Sequence, residues 1–122
     1  MENLNHEIAA HIPDWVWGMN CAVTVCDADC RIIYMNRRAR DTFAAHGDLI
    51  GCNLRDCHSP RSVEIIERLL RDGGTNCYTI SKAGLRKMIF QTAWRHRRDD
   101  SIGGLVELSM VIPEEMPHYI RD

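Results

Sequence analysis

The stretch DADCRIIYMNRRARDTF, residues 27–43, decides how the chain reads. It opens on an acidic turn, DADC at 27–30, where an aspartate such as Asp27 can bond the backbone two residues on. RIIYM at 31–35 is a short apolar, β-branched run and reads as a strand. Asn36 then offers a side-chain oxygen to the exposed amides of a helix start. NRRARDTFAAHG at 36–47 is predicted to be that helix, with Gly47 as its stop. Just upstream, CAVTVC at 21–26 is small and β-branched, which makes residues 21–35 a hairpin.

Working outward, Ile8, Ile12, Trp15, Val16 and Met19 fall on one helical stripe. Pro13 removes a helix hydrogen bond and predicts a kink or restart there, and Asn20 closes the segment. Beyond an irregular stretch at 48–60, SPRSVEIIERLLRDGG at 59–74 is the clearest helix. Ser59 caps it, Pro60 sits in its first turn, and Gly73 and Gly74 end it. Val63, Ile66, Leu69 and Leu70 are its buried stripe, with Ile65 beside them, and Glu64 and Arg68 form an i,i+4 pair outside. Three strands follow at 76–82, 85–94 and 102–113, the first two joined by an Ala83–Gly84 turn. In the last strand Val106, Leu108 and Met110 form the more apolar face, so they are expected inside and Glu107 outside; the alternative is that Glu107, which interrupts the apolar strand, faces the pocket and binds a cationic or hydroxylated ligand. The order of helix, hairpin, helices and three strands gives an α+β class, an antiparallel sheet with helices gathered on one face.

The chain's 122 residues fit one domain, and 45% hydrophobic content supplies one core. A net charge of −2 argues against nucleic acid, which favours basic domains. RR at 37–38 and RHRRDD at 95–100 are read as solvated surface. The start, MENLNHEIAAHIPDW, has no secretory apolar core, and no run of about 18 apolar residues exists to cross a membrane. A cytoplasmic location is expected, with the six cysteines as free, buried thiols. Cys21, Cys26 and Cys30 lack the spacing of a metal site, and no nucleophile and base stand at catalytic spacing, so neither metal nor enzyme activity is expected.

These elements resemble the PAS domain, a sensor family well represented in bacteria. Asp27, Cys30, Ile32, Asn36, Ala39 and Phe43 match its first motif, with Cys30 where the family usually has glycine. That departure implies a different turn type. LIG at 49–51 with DCHSP at 56–60, and the ending GGLVELSMVIP, match two further motifs; the resemblance covers about residues 10–113. It implies a five-stranded sheet of order 2-1-5-4-3 whose helices close a pocket over one face, holding haem, flavin, a metabolite or nothing.

The family's flavin-reactive cysteine motif aligns with Gly51, Cys52, Asn53, Leu54 and Arg55, which puts leucine at the reactive position. Its haem histidine would fall in the long helix, where Val63–Leu70 has none; His58 lies just before and is read as bonding backbone. CNLRDCH at 52–58 departs from the C-x-x-C-H spacing of covalent haem attachment. No cofactor is therefore expected to be obligatory, with haem or another small molecule left open.

The expected pocket lining is Met35, Phe43, Leu54, His58, Ile66, Met88, Phe90 and Val106. Residues 1–20 are expected to be a cap or dimerisation segment with Ile8, Ile12, Trp15 and Val16 at the interface, 21–113 the PAS domain, and 114–122 a tail. Two functions follow. One is a sensory module that binds a small ligand and signals through a homodimer or a partner protein; the other is a ligand-free interaction module. Neither involves nucleic acid or membrane. The chain leaves no room for an output domain, so output is expected from a partner or a larger parent protein.

Overall fold

The hairpin turn is built by one side chain. In the computed structural model, which describes residues 11–122, Asp27 Oδ1 accepts from the amides of Asp29 (2.9 Å) and Arg31 (3.0 Å). Strand β1 (Ala22–Asp27) thereby folds back on β2 (Ile32–Met35), with an irregularity between Val25 and Cys26. Cys30 closes the turn at φ 63° and donates its amide to Asp27 O. The expected change of turn type does not occur: cysteine keeps the left-handed backbone that glycine adopts freely. The strain, about 1–2 kcal/mol for an L-residue, is offset because the Cys30 side chain is fully buried in the core cluster.

Asn36 closes the hairpin onto the rest of the chain. It caps the helix Arg37–Thr42 by accepting from Ala39 N, as its position predicts. It also does more. Oδ1 accepts from Val23 N (2.9 Å), and Nδ2 donates to Val16 O (2.9 Å) and Cys21 O (2.8 Å). A fully buried amide thus uses both donors and both acceptor directions.

The predicted helix at 36–47 is broken. It ends at Thr42, and after Phe43 a 3-10 turn, Ala44–His46, runs to Gly47 at φ 73°. Upstream, one turn of helix, Asp14–Trp17, begins after Pro13 and stops at Gly18, short of Met19 and Asn20. Ile8 lies outside the described residues. A second 3-10 turn, Leu54–Cys57, leads into the long helix Pro60–Asp72, capped by Ser59 Oγ on Ser62 N. Ile66 and Leu69 are its buried residues. Among the described residues Glu64 and Arg68 form no ion pair; Glu67 instead meets Arg55 at 3.2 Å, tying the helix to the preceding turn.

Strands β3 (Thr75–Lys82), β4 (Leu85–Arg95) and β5 (Ile102–Ile112) complete an antiparallel sheet of order β2-β1-β5-β4-β3. The Ala83–Gly84 turn has φ values of 54° and 75°, the left-handed pair that suits a two-residue hairpin. Register assigns the faces, because directly opposed residues point the same way. Ala22 opposes Ser109, Thr24 opposes Glu107 and Cys26 opposes Leu105. On the other side Ile89 opposes Ser109 and Gln91 opposes Glu107. Cys26 and Leu105 pack with Ile66 and Leu69, so this is the helix-covered, inner face.

Glu107 therefore points inward, and the expected orientation of β5 is reversed. Val106, Leu108 and Met110 share the outer face with Met88 and Phe90. Hydrophobicity misleads here because the outer face is the more apolar one, while the inner face carries polar groups around a cavity. Trp94 fixes the same registers: its Nε1 donates to Cys26 O (3.0 Å), and a Cβ at Gly104 would run into that carbonyl and the indole.

Cys21, Cys26 and Cys30 are buried free thiols, but Cys52, Cys57 and Cys77 are exposed, so burial holds for half of the expected set. Residues 113–122 have no regular structure; Arg86 bonds Glu114 O. Among the described residues no helix is long and apolar enough to cross a membrane.

Two stability measurements test this account. Asn36→Ala leaves several buried backbone groups without partners and should lower unfolding free energy by about 3 kcal/mol or more in urea titration. Cys30→Gly should be milder than Cys30→Ala, because glycine relieves about 1 kcal/mol of turn strain that alanine retains; the reverse order would show that Cys30 is not strained.

Candidate functional site

Two adjoining cavities lie between the inner face and the helices. One, of about 100 Å³, has Ile32, Met35, Leu49 and Leu54 as an apolar wall and Cys57, His58 and Glu107 as its polar end. The other, of about 190 Å³, runs under β3–β5 past Ile89, Tyr78, Ile80 and Ser109 to Lys82 and Lys87. Thr24, Phe43 and Glu107 line both, so Glu107 stands at their junction.

Glu107 owes that place to the middle of the sheet, with Thr24 and Gln91 opposite it on either side. Its carboxylate faces His58, with Oε2 and Nε2 3.7 Å apart and each side chain 18% exposed. That separation is an ion-pair distance and not a hydrogen bond. The His58 ring is aimed by the preceding 3-10 turn, its Nδ1 2.8 Å from Leu54 O. Nδ1 therefore carries the proton of the neutral ring, and a second proton on Nε2 would face Glu107. The Glu107 carboxylate raises the His58 pKa above its ordinary value; burial opposes the rise and the Leu54 carbonyl supports it. Burial first, then the same carboxylate, raises the Cys57 thiol and the Tyr78 phenol. The half-buried Glu107 carboxylate thus sets the electrostatics around His58, Cys57 and Tyr78.

Of the expected lining, Met35, Phe43, Leu54 and His58 do meet at the cavity. Ile66 does not; it is fully buried in the core cluster. Met88, Phe90 and Val106 lie on the opposite face of the sheet. Sequence reasoning missed Tyr78, Lys87 and Thr24, and it singled out Glu107 but favoured the wrong face for it. The available signal was a carboxylate interrupting an apolar strand, which hydrophobicity turned the wrong way. Of the expected interface residues, Ile12 and Val16 are half-buried and Trp15 is 73% exposed.

The residues do not fit a haem. Both ring nitrogens of His58 are engaged or blocked, by Leu54 O and by Glu107, and the long helix has no histidine over Val63–Leu70. The flavin-reactive position is Leu54, which is buried. Among the described residues no three metal-ligating side chains converge.

The sequence matches the family model described as PAS fold over residues 18–72. The chain carries a PAS fold. Solved structures agree in topology beyond the matched stretch. The PAS domain of the histidine kinase ThkA is 18% identical, with a TM-score of 0.62 over 75% of this chain and 99% of that one. The PAS domain of BvgS from Bordetella pertussis is 14% identical, with a TM-score of 0.61 over 88% of each chain. The Aer2 receptor from Vibrio cholerae, described as a dual PAS-heme oxygen sensor, is 20% identical, with a TM-score of 0.55 over 80% of this chain and 99% of that one. No curated protein matches the sequence. The PAS fold accounts for the placement of the cleft between helices and sheet.

His58 titration tests the geometry. NMR should find its pKa above 6.5 in the folded protein, and Glu107→Gln should lower it. A raised folded-state value means that the stability from this pair is fully present below the unfolded value of about 6.5 and is lost as pH rises through the folded one. The stability difference between wild type and Glu107→Gln should therefore shrink as pH rises across that window.

Proposed function

We propose that the protein is a sensory module that binds a small ligand in the inner-face cleft and reports its presence through a homodimer or a partner protein. The observation that carries this reading is Glu107, a half-buried carboxylate at the junction of two cavities. A charge in that position lowers stability unless it is paired, and among the described residues only His58 meets it, at 3.7 Å. Retaining it in the middle of the sheet suits a site that recognises something. The two cavities together lie near the low end of small-molecule sites, roughly 300–1,000 Å³, which favours a metabolite over a haem or flavin. Relatives in fold are sensor domains of histidine kinases and receptors, which supports a signalling role. The module acts by binding and not by catalysis, in a cytoplasmic setting, without nucleic acid or membrane. Ligand would signal by favouring one of two arrangements for which its affinity differs.

A ligand-free interaction module is the second reading. It is favoured by Trp15, 73% exposed beside the half-buried Val16, and by the apolar outer face with Met88, Phe90, Leu108 and Met110. Large exposed aromatics are typical of interface centres.

Native mass spectrometry of freshly purified protein, with an absorption spectrum, separates the two. A fixed extra mass that Glu107→Gln loses supports the sensor. A clean dimer without added mass, which becomes monomeric on removal of residues 1–19, favours the interaction module. A Soret or flavin band would overturn the choice of a metabolite.

A further inference from the structure

The cleft continues outward. A third space of about 290 Å³ at the sheet edge shares Ala22, Thr42, Lys87 and Ser109 with the Lys82–Lys87 cavity. Arg38 and Asp41 also line it, and Arg38 is held by Asn20 Oδ1. Lys87 and Arg38 against Asp41 leave this mouth net positive, and Lys82 lines the cavity next to it. The far end holds Glu107, and no donor hydrogen-bonds to its carboxylate among the described residues. His58 compensates that charge only while it is protonated. Between the ends, Ala22, Ile80, Ile89 and Phe43 give an apolar wall.

The charges are therefore separated along one channel. Lys87 opposes Val111, four residues along β5 from Glu107, or about 13 Å between backbones. Both side chains rise from the inner face, and the flexible four-carbon stem of Lys87 can lean along the cleft, which puts the gap within reach of a methylene chain.

We propose that the cleft binds an elongated zwitterion, with its ammonium on Glu107, its carboxylate at Lys87 and its methylene stem along the apolar wall. This rests on the reading of the cleft as a ligand site and names the class of ligand. An ammonium supplies both the donors and the positive charge that the Glu107 carboxylate lacks. The cationic mouth attracts the carboxylate end and orients entry, since a cleft lined by one sign of charge concentrates the opposite one. Neither a fatty acid nor an alkylamine satisfies both ends.

The test is an NMR titration of the full chain with three probes of one length: ε-aminocaproate, caproate and hexylamine. ε-Aminocaproate should bind about tenfold more tightly than either of the others, the value of one charge-assisted hydrogen bond. Its shifts should centre on Phe43, Tyr78 and Ile89. Glu107→Gln should erase its advantage over caproate, and Lys87→Met its advantage over hexylamine. Should Glu107→Gln lose the native spectrum, the Lys87→Met comparison decides alone. Equal binding of all three probes in the cleft overturns the zwitterion and leaves the sensor reading standing. Binding that neither variant alters also overturns it. The absence of any shift in the cleft with all three probes overturns it too, and combined with an unliganded mass removes the sensor reading as well.

Discussion

Four hydrogen bonds from one buried amide hold this molecule in register. Asn36 joins the N-terminal turn through Val16 O, the entry to β1 through Cys21 O and Val23 N, and the helix after β2 through Ala39 N. Each partner is a backbone group, and three of the four bonds are buried, so losing the amide strands several of them together. The bond to Val23 also holds the end of β2 against the start of β1, beside the ladder pair Thr24–Met35. Because β1 lies between β2 and the central strand β5, that alignment passes to β5, where Glu107 opposes Thr24. The position of the carboxylate in the cleft is a consequence of an asparagine at the edge of the core.

The two faces of the sheet divide the work. The core proper sits towards one end of the inner face, where Cys26, Ile32 and Leu105 meet Ile66 and Leu69. Further along, the same face turns polar with Glu107, Gln91 and Ser109, and the helices draw back enough to leave a cleft. Gln91 is buried with a built-in partner, Asn76, while Glu107 and Ser109 border the cavity and so escape the cost of dry packing. The outer face, by contrast, is an apolar surface of Val106, Leu108, Met110, Met88 and Phe90. A domain with one polar cleft and one apolar sheet face can couple what fills the first to what packs on the second, provided the ligand favours one sheet geometry.

Local chemistry was legible without coordinates. Asp27 in a turn, Asn36 before a helix, Ser59–Pro60 at a helix start and Ala83–Gly84 between strands are short-range signals, and each is seen where it was read. The strand order follows from the resemblance to a known family carried by those motifs. Met35, Phe43, Leu54 and His58 were legible as site residues because they lie on or beside the motifs. The helix break at Phe43 was not, since nothing in ARDTFAAHG competes with helical periodicity until packing does.

The sequence by itself determined the elements, their order and the fold, because turns, caps and periodicity are written within a few residues. Only the tertiary structure decided which face of each strand looks inward. Alternation gives two faces for β4 and β5 but does not label them, and here the label follows from the ladder to β1 and from Gly104 beneath Trp94. That single binary choice moved Met88, Phe90 and Val106 out of the site and brought Glu107, Tyr78 and Lys87 into it. Hydrophobicity could not make it, because a protein that keeps a polar cleft inside and an apolar face outside inverts the rule by which strand faces are usually assigned.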